Sequence, residues 1–310
     1  MSAGIKVFAP ASVGNVGVGF DCLGFALDAP GDELIGRLVN KPGIRITEIT
    51  GAQGKLPLAT EKNTAGVAAL RTYEHIGRTD IGIEMQLHKK MPFGSGLGSS
   101  AASAVAGAML VNELLRRPLE KRALLPFAMA GEQLASGSYH ADNVAPALIG
   151  GMVLVRDNAT LDVHRLPLVR GLRVVVIYPK VEILTKVARG MLSDQVPLKT
   201  HVEQSSNLGG LIVGMFRGDF ELIGRSLDDV LIEPQRAKLI PYFDKVKAAA
   251  LKEGALGCSI SGSGPSIFAL CANTLIAENV GNAMKRIYKD AKIRTKLYQS
   301  AINQEGAIRY

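Results

Sequence analysis

Regular alternation of apolar and polar residues predicts β-strands along much of this 310-residue chain. Ile83, Met85 and Leu87 alternate with polar residues, as expected of a strand buried on one face. Residues 152–156 and 161–166 form a similar pair around Asp157-Asn158, which predicts a hairpin. Further strands are predicted at residues 5–9, 23–27, 34–39, 44–49, 172–178, 258–260, 266–271 and 293–300.

Helical spacing separates these groups of strands. Asn63 can cap a helix that runs to about His75 and ends at Gly77. Helices are also predicted at residues 99–116, 119–135 and 275–288 and over most of 184–253, with Pro126 expected to kink or split its helix. Strands followed by helices, twice over, predict an α+β fold of two domains, residues 1–165 and 166–310.

The amino-acid composition restricts the kinds of function that this chain can have. The apolar fraction of 47% and the charged fraction of 21% are ordinary for a globular enzyme. A net charge of +8 suits anionic small molecules such as nucleotides and also nucleic acid. Aromatic residues make up only 5% of the chain, which argues against a surface that stacks on bases.

Cysteine usage and the lack of targeting signals predict a cytoplasmic protein. Cys22, Cys258 and Cys271 lie far apart, which favours neither a disulfide framework nor a zinc site. The N-terminal residues resemble no signal or transit segment, and no apolar run approaches 18 residues.

The most informative segment is the glycine-rich stretch that precedes the second helix. Gly94, Gly96 and Gly98 are followed by two serines and an apolar run. Glycines allow close backbone approach, and a helix N-terminus offers unpaired N–H groups, so this segment predicts a phosphate-binding loop. A Walker A loop would need lysine before Ser99, and the dinucleotide fingerprint would need glycine in its place. The alternative is a flexible turn, although the serines are suited to helix capping or to metal contact.

Two more glycine-rich segments flank this one in the chain. The first, residues 10–21, places three glycines around Asn15 and ends at Asp21, and the second is residues 259–266. In order, P-A-S-x-x-N-x-G-x-G-F-D, P-x-G-S-G-L-G-S-S-A-A-S and S-G-S-G-P-S resemble the three motifs of the GHMP kinase superfamily. This resemblance spans the chain. It implies a ribosomal-protein-like α+β domain that binds ATP, residues 1–165, and a ferredoxin-like α/β sandwich, residues 166–310.

Other segments resemble one subgroup of that superfamily. Residues 136–146, Gly150-Gly151 and 233–236 are similar to members that phosphorylate the side-chain hydroxyl of L-homoserine to O-phospho-L-homoserine, a step toward threonine. The resemblance implies ATP and Mg²⁺, a homodimer, and neither nucleic acid nor membrane as partner. One alternative is a mevalonate-type kinase of the superfamily, which would leave Asp21 without an amine to bind. The other is a basic nucleic-acid-binding α+β module.

The resemblance also implies a set of site residues. For ATP it implies Pro92, Phe93, Gly94, Ser95, Gly96, Leu97, Gly98, Ser99, Ser100, Ala101, Ala102 and Asn63, of which Asn63 is equally well explained as a helix cap. For Mg²⁺ it implies Ser100 and Glu132, although Glu132 alone would be assigned to a solvated helix face. For the substrate it implies Asn15, Asp21, His140, Asn143, Arg189, Arg236 and Gly262. Asn143, Asn15 and Thr185 are the implied catalytic residues.

The implied roles follow the charges of an amino acid. Arg189 and Arg236 match positions that hold the carboxylate, whereas Asp21 and Asn143 match those that hold the amine. Other superfamily members place an aspartate near the attacking hydroxyl where this chain has Asn143. The neighbouring Asp142 is expected to point elsewhere, which suggests catalysis by orientation without a strong base. Lys89 and Lys90 are expected to be surface charges.

Overall fold

The computed structural model describes residues 4–78 and 80–310, which fold into two sheets and a set of packed helices. The strands are β1 (Ile5–Gly14), β2 (Leu23–Val39), β3 (Gly43–Thr50), β4 (Gly82–His88), β5 (Met152–Asp157), β6 (Asp162–Arg165), β7 (Arg173–Pro179), β8 (Gly257–Ile260), β9 (Ile267–Cys271), β10 (Thr295–Ser300) and β11 (Ile308–Arg309). The helices are α1 (Thr64–Ile76), α2 (Ser99–Leu114), α3 (Leu125–Ser136), α4 (Val144–Ile149), α5 (Thr185–Gly190), α6 (Leu198–Arg217), α7 (Phe220–Ser226), α8 (Glu233–Arg236), α9 (Phe243–Lys252) and α10 (Thr274–Asp290).

The larger sheet has the order β11-β1-β2-β4-β3. β2 is long enough to pair with β1 along most of its length, with β4 over its second half and with β5 over its first residues. β5 and β6 form the predicted hairpin. The smaller sheet has the antiparallel order β10-β7-β9-β8. Two sheets with helices confirm the predicted α+β fold class.

Local sequence explains where the helices begin and end. Asn63 caps α1, because its side-chain oxygen accepts hydrogen bonds from the N–H groups of Ala65 and Gly66, and Gly77 ends that helix as predicted. The helix predicted at residues 119–135 is split just before Pro126, which was one of the two expected outcomes, and is not kinked there. A 3-10 turn precedes α3, and Pro126 lies in the first turn of α3, where its missing N–H has no helical partner to lose.

Helix α2 lies at the centre of the larger domain core. Its side chains are buried from Ala101 to Leu114, and it packs on α1, α3, β1 and β2. A helix that is apolar on all sides must be surrounded by protein. The N-terminus of α2, which follows the glycine-rich loop, is therefore held in one position.

The central strands β7 and β9 of the smaller sheet are buried on both faces. Val174, Val176 and Phe268 belong to the core shared with the larger sheet, whereas Val175 and Ile177 pack with α9 and α10. This division follows from the alternation of side chains along a strand. Phe25 of β2 and Phe268 of β9 meet edge to face, with ring centroids 5.9 Å apart, and so join the two sheets.

The last residues of the chain return to the larger sheet, which the sequence analysis did not predict. β11 pairs with β1, and Ile302 forms an isolated bridge to Leu27. The division at residues 165 and 166 stays a prediction. It falls between β6 of one sheet and β7 of the other, and the C-terminal segment crosses it. None of the helices in residues 4–78 and 80–310 has the length and apolar character needed to cross a bilayer.

Two leucines provide a matched test of the core between the sheets. Leu270 of β9 is 0% exposed and Leu275 of α10 is 67% exposed. Leu270→Ala is expected to lower the free energy of unfolding by about 2–5 kcal/mol, because it leaves a cavity. Leu275→Ala is expected to change it by no more than about 0.5 kcal/mol. Urea denaturation of both variants measures this difference, and equal losses would contradict the assigned core.

Candidate active site

The three glycine-rich segments meet around one cavity of about 270 Å³. The Gly262 N–H donates to the Gly14 carbonyl at 3.1 Å, and the Ser12 N–H donates to the Leu97 carbonyl at 3.1 Å. Backbone bonds of this kind fix the spacing between segments that are distant in sequence. The cavity is thus built by all three segments together.

The loop from Gly94 to Leu97 directs its carbonyl groups into the protein. They accept hydrogen bonds, in order, from Ile183 N at 3.4 Å, Ser266 N at 3.2 Å, Ser261 Oγ at 2.6 Å and Ser12 N at 3.1 Å. No N–H group from residue 94 to residue 100 donates to an acceptor in the described residues. Since buried carbonyls are satisfied and the amides are not, the loop presents donors to an anion.

Close packing explains why two positions in the loop are occupied by glycine. Gly96 has φ +74°, and a Cβ there would lie 2.3 Å from the Ser261 carbonyl oxygen. Gly98 has φ +62°, and its Cβ would lie 2.1 Å from Ser12 Oγ. Gly98 also occupies the cap position of α2, where no side chain caps the helix, so the expected capping by a serine is wrong. Without a capping side chain, the first N–H groups of α2 stay open to a ligand.

Ser100 and Glu132 meet although they belong to different helices. Ser100 Oγ on α2 donates to Glu132 Oε1 on α3 at 3.0 Å. Glu132 is buried, so assigning it to a solvated helix face is wrong. Burial is the main cause that raises the pKa of Glu132 to about 7. A hydroxyl and a carboxylate at the cavity wall are ligands that a hard cation prefers.

The two residues assigned to opposite ends of the substrate pair with each other. Arg189 donates to both carboxylate oxygens of Asp21, at 2.9 and 2.8 Å. His140 lies beside the pair, with Nδ1 3.3 Å from Arg189 Nη2 and Nε2 3.5 Å from Asp21 Oδ2. Burial lowers the pKa of His140, which favours the neutral imidazole. The carboxylate of Asp21 and the guanidinium of Arg189 together complement the ammonium and carboxylate charges of a zwitterion.

Arg236 is a buried cation, only 3% exposed. Its guanidinium donates to the carbonyls of Ala188 and Gly262 at 3.2 and 3.3 Å and lies over the Phe20 ring. Among the residues that the structure describes, no carboxylate lies within ion-pair distance of it. Burial first, and then Arg189, lowers the pKa of Arg236. A buried guanidinium that has only carbonyl partners favours an anionic ligand.

Asn15 acts mainly as a connector. Its Nδ2 donates to the Gly262 carbonyl at 2.8 Å, and its Oδ1 accepts from the Asp21 N–H at 3.0 Å. Its own N–H donates to Asp142 Oδ2 at 3.3 Å. Asn15 therefore ties the first and third glycine-rich segments together and places Asp21, and one N–H of its amide is left for a ligand.

Asn143 is held on both sides. Its Oδ1 accepts from Ser12 Oγ at 2.9 Å, and its Nδ2 donates to Asp142 Oδ2 at 3.1 Å. The expectation that Asp142 points away from Asn143 is wrong, because both side chains line the cavity. Burial, followed by the charge of Asp21, raises the pKa of Asp142 to about 7. The hydrogen bond to Asp142 Oδ2 orients the amide of Asn143.

Some of the remaining predicted residues line the cavity, and the others lie outside its wall. Thr185, the first residue of α5, lines the cavity with its Oγ1 3.4 Å from Ser263 Oγ. The cavity wall also includes Phe93, Gly94, Ser95, Gly96, Gly98, Ser99, Ser100 and Gly262. It does not include Pro92, Leu97, Ala101, Ala102 or Asn63. Because Leu97, Ala101 and Ala102 are fully buried, their side chains serve packing. The side chain of Asn63 caps α1, and its neighbour Thr64 lines the cavity.

Sequence reasoning missed Lys89, which was expected at the surface. Its side chain is 2% exposed and pairs with Asp32, whereas the side chain of Lys90 is 56% exposed, as expected. The alternation of β4 contained the signal, since Leu87 is buried and the next inward position along the strand is residue 89.

Two family models match the chain. Residues 63–151 match the GHMP kinases N terminal domain, and residues 211–290 match the GHMP kinases C terminal domain. The homoserine kinase of Chlorobium phaeobacteroides is 45% identical over 98% of both chains. The homoserine kinase of Chlorobaculum tepidum is 44% identical over 97% of this chain and 96% of its own.

Solved structures agree with this relationship. The crystal structure of homoserine kinase from Cytophaga hutchinsonii is 54% identical, covers 100% of this chain and 98% of its own, and has a TM-score of 0.97. The mevalonate kinase of L. major is only 16% identical over 97% of both chains, with a TM-score of 0.72, and so shares the fold. From the full-length identity, the domain matches and the glycine-rich cavity, the chain belongs to the homoserine kinase family of the GHMP kinases.

Proposed function

We propose that this chain is an ATP-dependent kinase that phosphorylates the side-chain hydroxyl of L-homoserine. One observation carries the proposal: the same cavity contains the open amides of the glycine-rich loop and the charges that complement an amino acid. The full-length identity to homoserine kinases supports the same substrate. The product is O-phospho-L-homoserine, and its formation is a step toward threonine.

Recognition of the zwitterion requires an exchange of ion pairs. The substrate carboxylate binds Arg236, which has no acidic partner within residues 4–78 and 80–310, together with Arg189. The substrate ammonium binds Asp21, assisted by the amide of Asn143. The Asp21–Arg189 pair opens as each member gains a substrate partner. A ligand without the carboxylate leaves the buried Arg236 uncompensated, and a ligand without the ammonium leaves the partly buried Asp21 uncompensated, which selects for amino acids.

The glycine-rich loop binds the nucleotide. The N–H groups from Gly94 to Ser100 hold the phosphate oxygens of ATP, and the positive end of the α2 dipole adds to this attraction. Asn63 is proposed at the edge of the adenine pocket through its place beside Thr64, although its side chain is occupied in capping α1.

Ser100 and Glu132 fit a Mg²⁺ ion. Both are oxygen ligands at the cavity wall, and the buried carboxylate of Glu132 is the kind of group whose charge a cation stabilises. Mg²⁺ commonly uses one or two protein ligands and completes its coordination with phosphates and water. When bound, the ion would neutralise negative charge on the phosphates.

Transfer of the phosphoryl group depends on how the substrate hydroxyl is positioned. The homoserine hydroxyl oxygen forms a bond to the γ-phosphorus, and the bond from that phosphorus to the β–γ bridging oxygen breaks, which releases ADP. The hydroxyl proton passes to an oxygen of the transferred phosphoryl group. Asn143, fixed by Ser12 and Asp142, orients the hydroxyl through its amide. Thr185 contacts the transferring group from α5. This scheme needs no strong base, in keeping with an amide at the position nearest the hydroxyl.

The protein is also proposed to form a homodimer through α6. Leu198 and Val202 near the start of this helix and Val213 and Phe216 near its end are 77%, 55%, 41% and 67% exposed. They lie on one face of the helix, with Ser205, Ser206 and Gly209 between the two pairs. A face that exposes four large apolar side chains favours contact with another protein surface, and a second copy can cover it with the same face around a two-fold axis.

An acceptor panel tests the substrate. ADP formation is measured with L-homoserine, 4-hydroxybutyrate, mevalonate, galactose and no acceptor. L-homoserine is expected to be used, and 4-hydroxybutyrate, which lacks the amine, is expected to lose roughly 10⁴-fold in kcat/KM. Its carboxylate would take Arg189 from Asp21 and offer Asp21 no ammonium in return. Equal use of mevalonate and homoserine would overturn the amino-acid site. Activity with nuclease-treated protein separates the kinase from a nucleic-acid-binding module.

Asn143→Ala tests catalysis by orientation. The variant is expected to lose roughly 10²-fold in kcat, because the hydroxyl is no longer positioned, and to bind ATP with unchanged affinity. Steady-state kinetics and calorimetry measure the two effects. Wild-type turnover in this variant would remove Asn143 from the mechanism. Complete loss of turnover in Asp142→Asn, with a smaller loss in Asn143→Ala, would replace orientation by base catalysis from Asp142.

Phe216→Glu tests the homodimer. A charge within an apolar interface is costly to bury, so the variant is expected to sediment as a monomer while the wild type sediments at twice that mass. Leu275→Glu is the matched control, because Leu275 is equally exposed on α10. A monomeric wild-type protein at micromolar concentration would refute the proposal.

A further inference from the structure

Beneath the glycine-rich loop lies a buried ion pair that the proposed mechanism does not use. Lys89 follows β4 and Asp32 belongs to β2, and their side chains are 2% and 0% exposed. The Lys89 ammonium contacts Asp32 Oδ2 and donates to the Ser99 carbonyl at 2.7 Å and to Ser103 Oγ at 2.7 Å. An ammonium has three N–H donors, so all of them are taken by the protein.

The second oxygen of Asp32 holds the start of the loop. Asp32 Oδ1 accepts hydrogen bonds from the N–H groups of Lys90 at 3.0 Å and Met91 at 3.4 Å. Ser103, one turn into α2, lies with its Oγ 3.0 Å from Asp32 Oδ2. One carboxylate therefore connects β2, the chain that enters the loop, and the first turn of α2.

Electrostatics alone does not explain this arrangement. A cation near a helix N-terminus opposes the helix dipole, and the charge of Asp32 offsets that of Lys89. The pair is close to neutral, so it adds little attraction for phosphate. Its effect on a nucleotide must come from the geometry that it imposes on residues on both sides of the loop.

We propose that Lys89 and Asp32 are positioning residues that hold the glycine-rich loop and the first turn of α2 in the shape that binds nucleotide phosphates. Lys89 anchors the Ser99 carbonyl, and Asp32 anchors the two amides before the loop. With both ends tied, the amides of residues 94–100 converge on one ligand. This inference rests on the proposed ATP-binding function. It assigns a positioning role to Lys89, which lines the cavity with all three ammonium donors bound by the protein, and to Asp32 behind it.

Calorimetric titration of ADP in the presence of MgCl₂, without homoserine, tests the proposal. Lys89→Met is expected to raise the Kd for ADP about tenfold or more, because a displaced loop loses several hydrogen bonds together. Ser103→Ala is expected to cause a smaller rise. Lys90→Met is the control, since that lysine is exposed, and its Kd should equal that of the wild type. The KM for homoserine is expected to change by less than about twofold in Lys89→Met.

A double variant separates positioning from stability. Lys89→Met alone leaves a buried carboxylate unpaired and lowers thermal stability, whereas Lys89→Met with Asp32→Leu removes both charges and is expected to recover much of it. The proposal requires that the folded double variant still binds ADP about tenfold more weakly. Wild-type affinity in that variant would overturn it, even if Lys89→Met fails to fold. Failure of the wild type to bind ADP would instead overturn the proposed function together with this inference.

Discussion

The site depends on one constraint, the opposite orientation of carbonyl and amide groups in the loop before α2. The carbonyls of residues 94–97 are bound by donors from β1, from the segment before α5 and from the loop between β8 and β9. Because these partners come from three parts of the chain, the loop cannot turn its amides inward without breaking contacts to all of them. A helix buried on every side extends from the loop, so the dipole and the open amides act at one place.

Burial of charge sets the second feature of the cavity. Asp21, Arg189, Arg236, Asp142 and Glu132 have each lost much of their contact with water, and each is offset by a neighbour, by hydrogen bonds or by a shifted pKa. In the proposed function, the charges of a zwitterionic substrate replace the ion pair between Asp21 and Arg189. The proposed selectivity for amino acids then follows from the cost of leaving a buried charged group without a partner, which is larger than the gain from a typical hydrogen bond.

Structure and sequence agree best where the controlling forces are local. The cap at Asn63, the hairpin after Gly151 and the loop before α2 were predicted, because capping, alternation and glycine content act over a few residues. The same reasoning placed Lys89 at the surface and kept Asp142 out of the cavity. Each is a charged residue whose partner, Asp32 or Asn15, lies more than fifty positions away.

The sequence by itself determined the order of most strands and of the main helices, the three glycine-rich segments and the family to which they belong. These depend on periodicity and on short motifs, which a chain carries before it folds. Only the tertiary structure decided that Ser100 meets Glu132, that Arg189 pairs with Asp21, that Lys89 is buried beneath the loop and that the C-terminal strand rejoins the first sheet. These contacts join residues far apart in the chain, and packing rather than local preference selects them.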